Sequence, residues 1–214
     1  MIYEGARLIT GNGGAPIEDG VLVVRGATIE QIGARSVVTA PAGARRVDLR
    51  GKTVMPLIIN VHGHIGYMKG ATTDKANYSR ENVLDHLQRS MYYGVGAMQS
   101  LGTDRDNVEL HVRDEQRAGT LKDPSLALLF TADQGLAAPT PQQANGGPAF
   151  ASDVVHETTS PEDGRQFVRM LATKHPDIVK VWVDDRNHTK VKLDRKSTRL
   201  NSSHIQKSRM PSSA

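Results

Sequence analysis

The sequence predicts a mixed α/β chain in two parts, a short β-rich region followed by strands alternating with helices. Three observations carry this. Residues 1–54 hold short β-prone runs separated by glycine turns. From residue 57 the rhythm is strand, then helix, repeatedly, with four strands in all. The chain has 214 residues, 38% apolar and 23% charged, which suits a folded globular protein and argues against wholesale disorder. Four β-then-α units imply a parallel sheet, either doubly wound or a (β/α) barrel.

The first part reads as a small β-sandwich or meander. Ala6–Ile9 runs into the turn cluster Gly11-Asn12-Gly13-Gly14, and Val21–Arg25 is a second β-rich run. Gly26-Ala27 turns into Thr28–Ile32, which alternates apolar and polar residues. Val47–Leu49 and Thr53–Met55 add two short pieces. The glycines at 11, 13 and 14 are turn residues and not a phosphate loop. Pro16 and another strand follow them, so no helix N-terminus is there to hold a phosphate.

The second part opens with Leu57–Val61, apolar apart from Asn60. Ser79 caps a helix whose Val83, Leu84, Leu87 and Met91 share one face. Gly94–Leu101 is the second strand, and a helix over 107–118 ends at Gly119. Leu126–Thr131 is the third strand. Residues 133–159 form a loop longer than a plain connection needs. Ser160-Pro161-Glu162-Asp163 starts a helix with a cap, a first-turn proline and two first-turn acids. Phe167, Met170 and Leu171 form its apolar face, and Ile178–Val183 is the fourth strand.

Composition removes several function classes. Without Cys there is no disulfide scaffold and no thiolate metal site. No apolar run approaches the ~20 residues that span a bilayer, and Met1–Gly5 does not open a signal peptide. The formal net charge is +4, but the segment 194–214 holds five Lys/Arg against one acid. Residues 1–193 therefore carry 22 charges of each sign. With 4% aromatic residues, no helix-turn-helix and no basic stripe in that span, neither nucleic acid nor a membrane is expected as a partner.

The chemistry concentrates in two places. Val61-His62-Gly63-His64 ends the first strand of the α/β part. Strict alternation puts Ile58, Asn60, His62 and His64 on one face, where two imidazoles at i and i+2 can grip one metal ion. In Ile178–Val183 the alternation sets Lys180 and Trp182 on the same side as the histidines. Lys180 is either a side chain reaching solvent from an edge strand or a buried amine of lowered pKa, able to take up carbon dioxide as a carbamate. His86, His111, His156, His175 and His188 read as surface or capping residues, with contact to substrate or metal the alternative for His156 and His188; Asp184-Asp185-Arg186, at the fourth strand's end, either positions loops or substrate or is simply solvated.

Taken together, Gly51–Pro56, Ile59–His64, Gly102–Arg105 and Val179–Trp182 resemble the metal-dependent amidohydrolase superfamily, its imidazolonepropionase-like members in particular. The resemblance covers residues 1–193. It implies a composite β-sandwich over 1–54 and, over 55–193, about the first half of a (β/α)8 TIM-type barrel. It implies His62 and His64 as ligands of one metal and Lys180 as a carbamylated bridge to a second. It further implies zinc, one or two ions, with another divalent metal as the alternative. The implied chemistry is attack of metal-activated water on a C–N bond of a small-molecule substrate.

Two departures stand out: Leu57 follows Pro56 where the family has Gly, and no room remains after Lys180 for the family's two further His and its general-base Asp. The segment 194–214 has no helical or strand period. Asp194–His204 and Ser208–Ala214 match the translation of a common sequencing adapter on either side of its variable index. The expectation is a disordered, non-native tail on an interrupted gene, and a chain that is inactive by itself and poorly soluble through its open sheet edge. The rival reading is a non-catalytic module with a simple His-x-His metal site. Oligomeric state and compartment do not follow from the sequence.

Overall fold

The computed structural model describes residues 1–138 and 148–183. Expectations for 184–193, including His188, and for the tail 194–214 lie outside the described residues. The chain divides into two compact units, Met1–Leu57 and Ile58–Ala214.

In the first unit, β1 (Ile2–Leu8), β2 (Ile17–Arg25), β3 (Thr28–Ala34) and β4 (Arg46–Asp48) form one sheet in the order β3-β2-β1-β4, with β5 (Thr53–Val54) also on β1. β1, β2 and β3 are antiparallel neighbours, while β4 and β5 run parallel to β1. Ile2, Val21 and Val23 make one apolar cluster and Ala6, Leu8 and Leu22 another. β1 begins four residues before the expected Ala6. Gly5, at φ +87°, interrupts the sequence pattern there and forms an irregularity in the β1–β2 ladder between Glu4 and Ala6.

The second unit is built on a parallel sheet in the order β10-β9-β6, from β6 (Ile58–Gly63), β9 (Val95–Ser100) and β10 (Leu128–Thr131). A small hairpin, β7 (Met68–Lys69) with β8 (Thr72–Thr73), follows β6 and leads to helix α1 (Arg80–Tyr92). Ser79 Oγ accepts the Asn82 N–H and caps α1. Its Val83 and Leu87 are fully buried against Ile65, Met98, Val112, Leu126, Ala127 and Leu129. Helix α2 (Val108–Ala118) covers the same face and stops at Gly119, whose φ of +70° closes the helix in the left-handed region. After β10 come β11 (Leu136–Ala137), β12 (His156–Glu157) and helix α3 (Pro161–Thr173), capped by Ser160 as expected.

Three expectations need correction. The stretch 133–159 is not a plain loop, because β11 and β12 pair in parallel within it. Met170 is not part of the buried face of α3. It is 39% exposed, while Phe167 and Leu171 pack on Leu136 with Val168 and Val181. Residues 178–183 do not form a strand along β10. They make a single parallel bridge, Leu136 with Val181, through Leu136 N–H to Lys180 O (2.9 Å) and Trp182 N–H to Leu136 O (2.8 Å). The pairing partner is thus β11, past the end of β10, and Val179 and Val183 remain exposed. Large apolar side chains on β6 (Ile58, Ile59, Val61) and β10 (Leu128, Phe130) are also exposed.

The difference between buried and exposed helix positions is measurable. Leu87→Ala will lower stability by about 2–5 kcal/mol through a core cavity. Met170→Ala will change it by about 0.5 kcal/mol or less. Urea denaturation followed by far-UV circular dichroism reads both, and equal losses would contradict the placement of Met170.

Candidate functional site

The site assembles where β6 and β9 end. The β6–β9 ladder pairs Asn60 with Met98 and Gly63 with Ser100, with an irregularity between. Three residues of β6 therefore span two of β9, a bulge. Directly opposed residues share a sheet face, so Asn60 and Gly63 both lie on the side of Met98 and Ser100. The expected strict alternation is thereby corrected: Asn60 does not share the histidines' face. Asn60 Oδ1 accepts the His62 N–H at 3.0 Å across the bulge. A Cβ on Gly63 would lie 2.9 Å from Met98 Cε, so the end of that side chain would have to move to admit one.

His62 and His64 stand with ring centroids 5.6 Å apart. Lys180 Nζ lies 3.4 Å from His62 Nε2. The three residues singled out from sequence therefore meet, although Lys180 is 118 positions from His62. His64 Nδ1 lies 3.2 Å from Thr103 Oγ1, which orients the ring and turns Nε2 away from Thr103. Trp182 stacks on His64 with centroids 6.3 Å apart and lies 4.9 Å from Lys180 Nζ. Phe150 meets His64 edge-on at 6.1 Å.

Electrostatics favour neutral groups here. Burial, with the nearby Lys180 charge as a lesser cause, lowers the pKa of His62 and draws that of His64 down to about 4. Burial likewise lowers the Lys180 pKa. Among the described residues, no three His, Cys, Asp or Glu side chains converge as a metal-binding group.

The Lys180 segment is held in place by contacts that sequence reading missed. Asp177 donates its N–H to Thr131 O and accepts the Thr131 N–H on Oδ2, both at 2.9 Å, fastening the segment to the end of β10. The buried Arg113 and the exposed Arg117 both pair with that carboxylate. Gly102 and Gly135 leave space for the segment: a Cβ on Gly102 would meet Lys180 Cγ at 2.8 Å, and one on Gly135 would meet Trp182 Cζ3 at 2.3 Å. Underneath, the fully buried Glu109 accepts from Ser100 Oγ (2.9 Å) and Thr131 Oγ1 (2.6 Å). Asp104 accepts the Glu109 and Leu110 amides and the Tyr78 hydroxyl. Tyr67, packed on Tyr78, donates to Thr103 O at 2.6 Å.

Two further histidines have structural partners instead. His86 joins Gly66 N–H and Met68 O. His156 stacks on Phe167 and bonds Asp163 at 2.9 Å.

No protein-family model matches the chain. A 5-methylthioadenosine/S-adenosylhomocysteine deaminase of Symbiobacterium thermophilum is 38% identical over 65 residues, 30% of this chain and 15% of that protein. Phenylurea hydrolase B superposes with a TM-score of 0.71 at 18% identity, over 93% of this chain and 51% of its own. A. niger ochratoxinase gives 0.66 at 16% identity, over 93% and 52%. A Bifidobacterium longum structure assigned as a prolidase gives 0.60 at 26% identity, over 86% and 40%. The chain thus spans about half the length of these solved structures, which are amidohydrolase-superfamily members, and its mixed α/β fold is similar to the corresponding part of theirs.

Proposed function

We propose that the protein to which this chain belongs is a metal-dependent hydrolase of C–N bonds in small molecules, with His62 and His64 binding one divalent ion and Lys180, as its carbamate, reaching a second. The observation that carries this is the meeting of two neutral imidazoles with a half-buried amine at the ends of parallel strands. The likeness to prolidase-type and phenylurea hydrolase structures supports the same class of bond.

The donor set suits a borderline metal such as zinc. With lowered pKa values, both rings keep a lone pair at neutral pH, and ligation requires that neutral form. The Thr103 contact occupies His64 Nδ1 and leaves Nε2 as the ligating nitrogen. A bound ion would supply an acidified water and polarise the scissile carbonyl. Lys180 prepares its own role: its lone pair forms a bond to the carbon of carbon dioxide, one C=O π pair moves onto oxygen, and one N–H proton leaves to solvent. The product is a carboxylate on a long arm. Trp182 and Phe150 restrict water around His64 and give the site an aromatic rim.

Metal analysis of the full chain, with and without bicarbonate, tests this. Wild type is expected to hold more metal per chain than Lys180→Ala, and ¹³C-bicarbonate is expected to label a carbamate in wild type alone. Equal stoichiometry and no carbamate would favour the simple His-x-His site.

Protonation gives a second test, made on the metal-free chain. The His64 imidazole will titrate near pH 4 by NMR, against about 6.5 for a free side chain. The folded chain binds this proton more weakly than the unfolded chain. The His64 contribution to stability is therefore complete above about pH 6.5, declines as the pH falls toward 4, and levels off below. A midpoint at 6 or above would contradict the burial of the ring.

A further inference from the structure

Asn60 interrupts an apolar strand, and the chemistry proposed above makes no use of it. Its geometry gives it a task. In an unbroken parallel ladder, Asn60 opposite Met98 would set His62 opposite Ser100. Met98 packs in the core under α1 and α2, and Ser100 bonds the buried Glu109. A regular strand would therefore turn the His62 imidazole toward that covered layer and away from Lys180. The bulge prevents this by placing Gly63, and not His62, opposite Ser100. The cost of a bulge is a backbone amide left without a ladder partner. Asn60 Oδ1 takes the His62 N–H at 3.0 Å, the side-chain-to-backbone bond two residues on that Asn and Asp form readily.

We propose that Asn60 is a positioning residue for the metal-binding pair. By closing on the His62 amide, it holds the bulge that keeps both His62 and His64 on the face where Lys180 meets them. A leucine or valine would continue the apolar pattern but could not accept that N–H. This inference rests on the reading of His62 and His64 as ligands.

Cobalt(II) binding to the full chain, followed by isothermal titration calorimetry, tests it without relying on activity. Asn60→Ala is expected to weaken binding by about 10–100-fold, the usual effect of losing a residue that orients a ligand. Asn60→Asp keeps an acceptor oxygen in place and is expected to recover most of the affinity. A metal-free readout runs beside it: hydrogen exchange at the His62 amide should accelerate in Asn60→Ala and stay slow in Asn60→Asp. Should Asn60→Ala fail to fold by circular dichroism, Asn60→Gln, which moves the same amide one carbon away, is read in its place. Tight cobalt binding by wild type with equal affinity and equal exchange in the variants would overturn the role of Asn60 alone. A wild-type chain that takes up no cobalt would overturn the ligand reading and this proposal together.

Discussion

A carboxyl group removed from water underlies the α/β unit. Glu109 is fully buried, and its two oxygens take the hydroxyls of Ser100 and Thr131, the last residues of β9 and β10. One helix side chain thereby fixes the ends of two neighbouring strands. Burial raises the pKa of Glu109 and of Asp104, with mutual repulsion adding to the shift on Glu109. The arrangement holds because every oxygen has a donor. A partly satisfied network at this depth would be worse than an apolar one. The same network extends through Asp104 and Tyr78 to Tyr67 and Thr103, and Thr103 orients His64. The order of the candidate site is continuous with the order of the layer beneath it.

Local rules made much of the fold legible. Ser79 and Ser160 announce their helices because a cap acts within three residues, and the Val83/Leu87 spacing marks its own buried face. Met170 departs from its expected place because it sits beside Leu171 in sequence but turns about 100° from it on the helix, away from Leu136. The 178–183 run has strand composition, yet composition cannot say which strand it will join. Here β11 offers its backbone at Leu136, and Asp177 ties the run's start to Thr131.

The candidate site divides in the same way. His62, His64 and Lys180 carry a chemical signal that can be recognised one residue at a time. The residues that bring them together carry no such signal. Gly102 and Gly135 matter for the side chains they lack, Asp177 for a bond to a strand 46 positions earlier, and Asn60 for a ladder irregularity visible only once its partner strand is known. Strict alternation puts His62 and His64 together on either side of Gly63, and their ring centroids stand 5.6 Å apart. It failed for Asn60, which lies on the other side of the irregularity.

Trp182 is the single tryptophan among the 214 residues. Excited at wavelengths where tyrosine does not absorb, the chain emits from that indole alone, within stacking range of His64 and 4.9 Å from the Lys180 amine. The molecule therefore carries a built-in optical probe at its candidate site. A paramagnetic ion, a change in the charge of Lys180 or a shift of the segment that bears it would each alter the emission of this one ring.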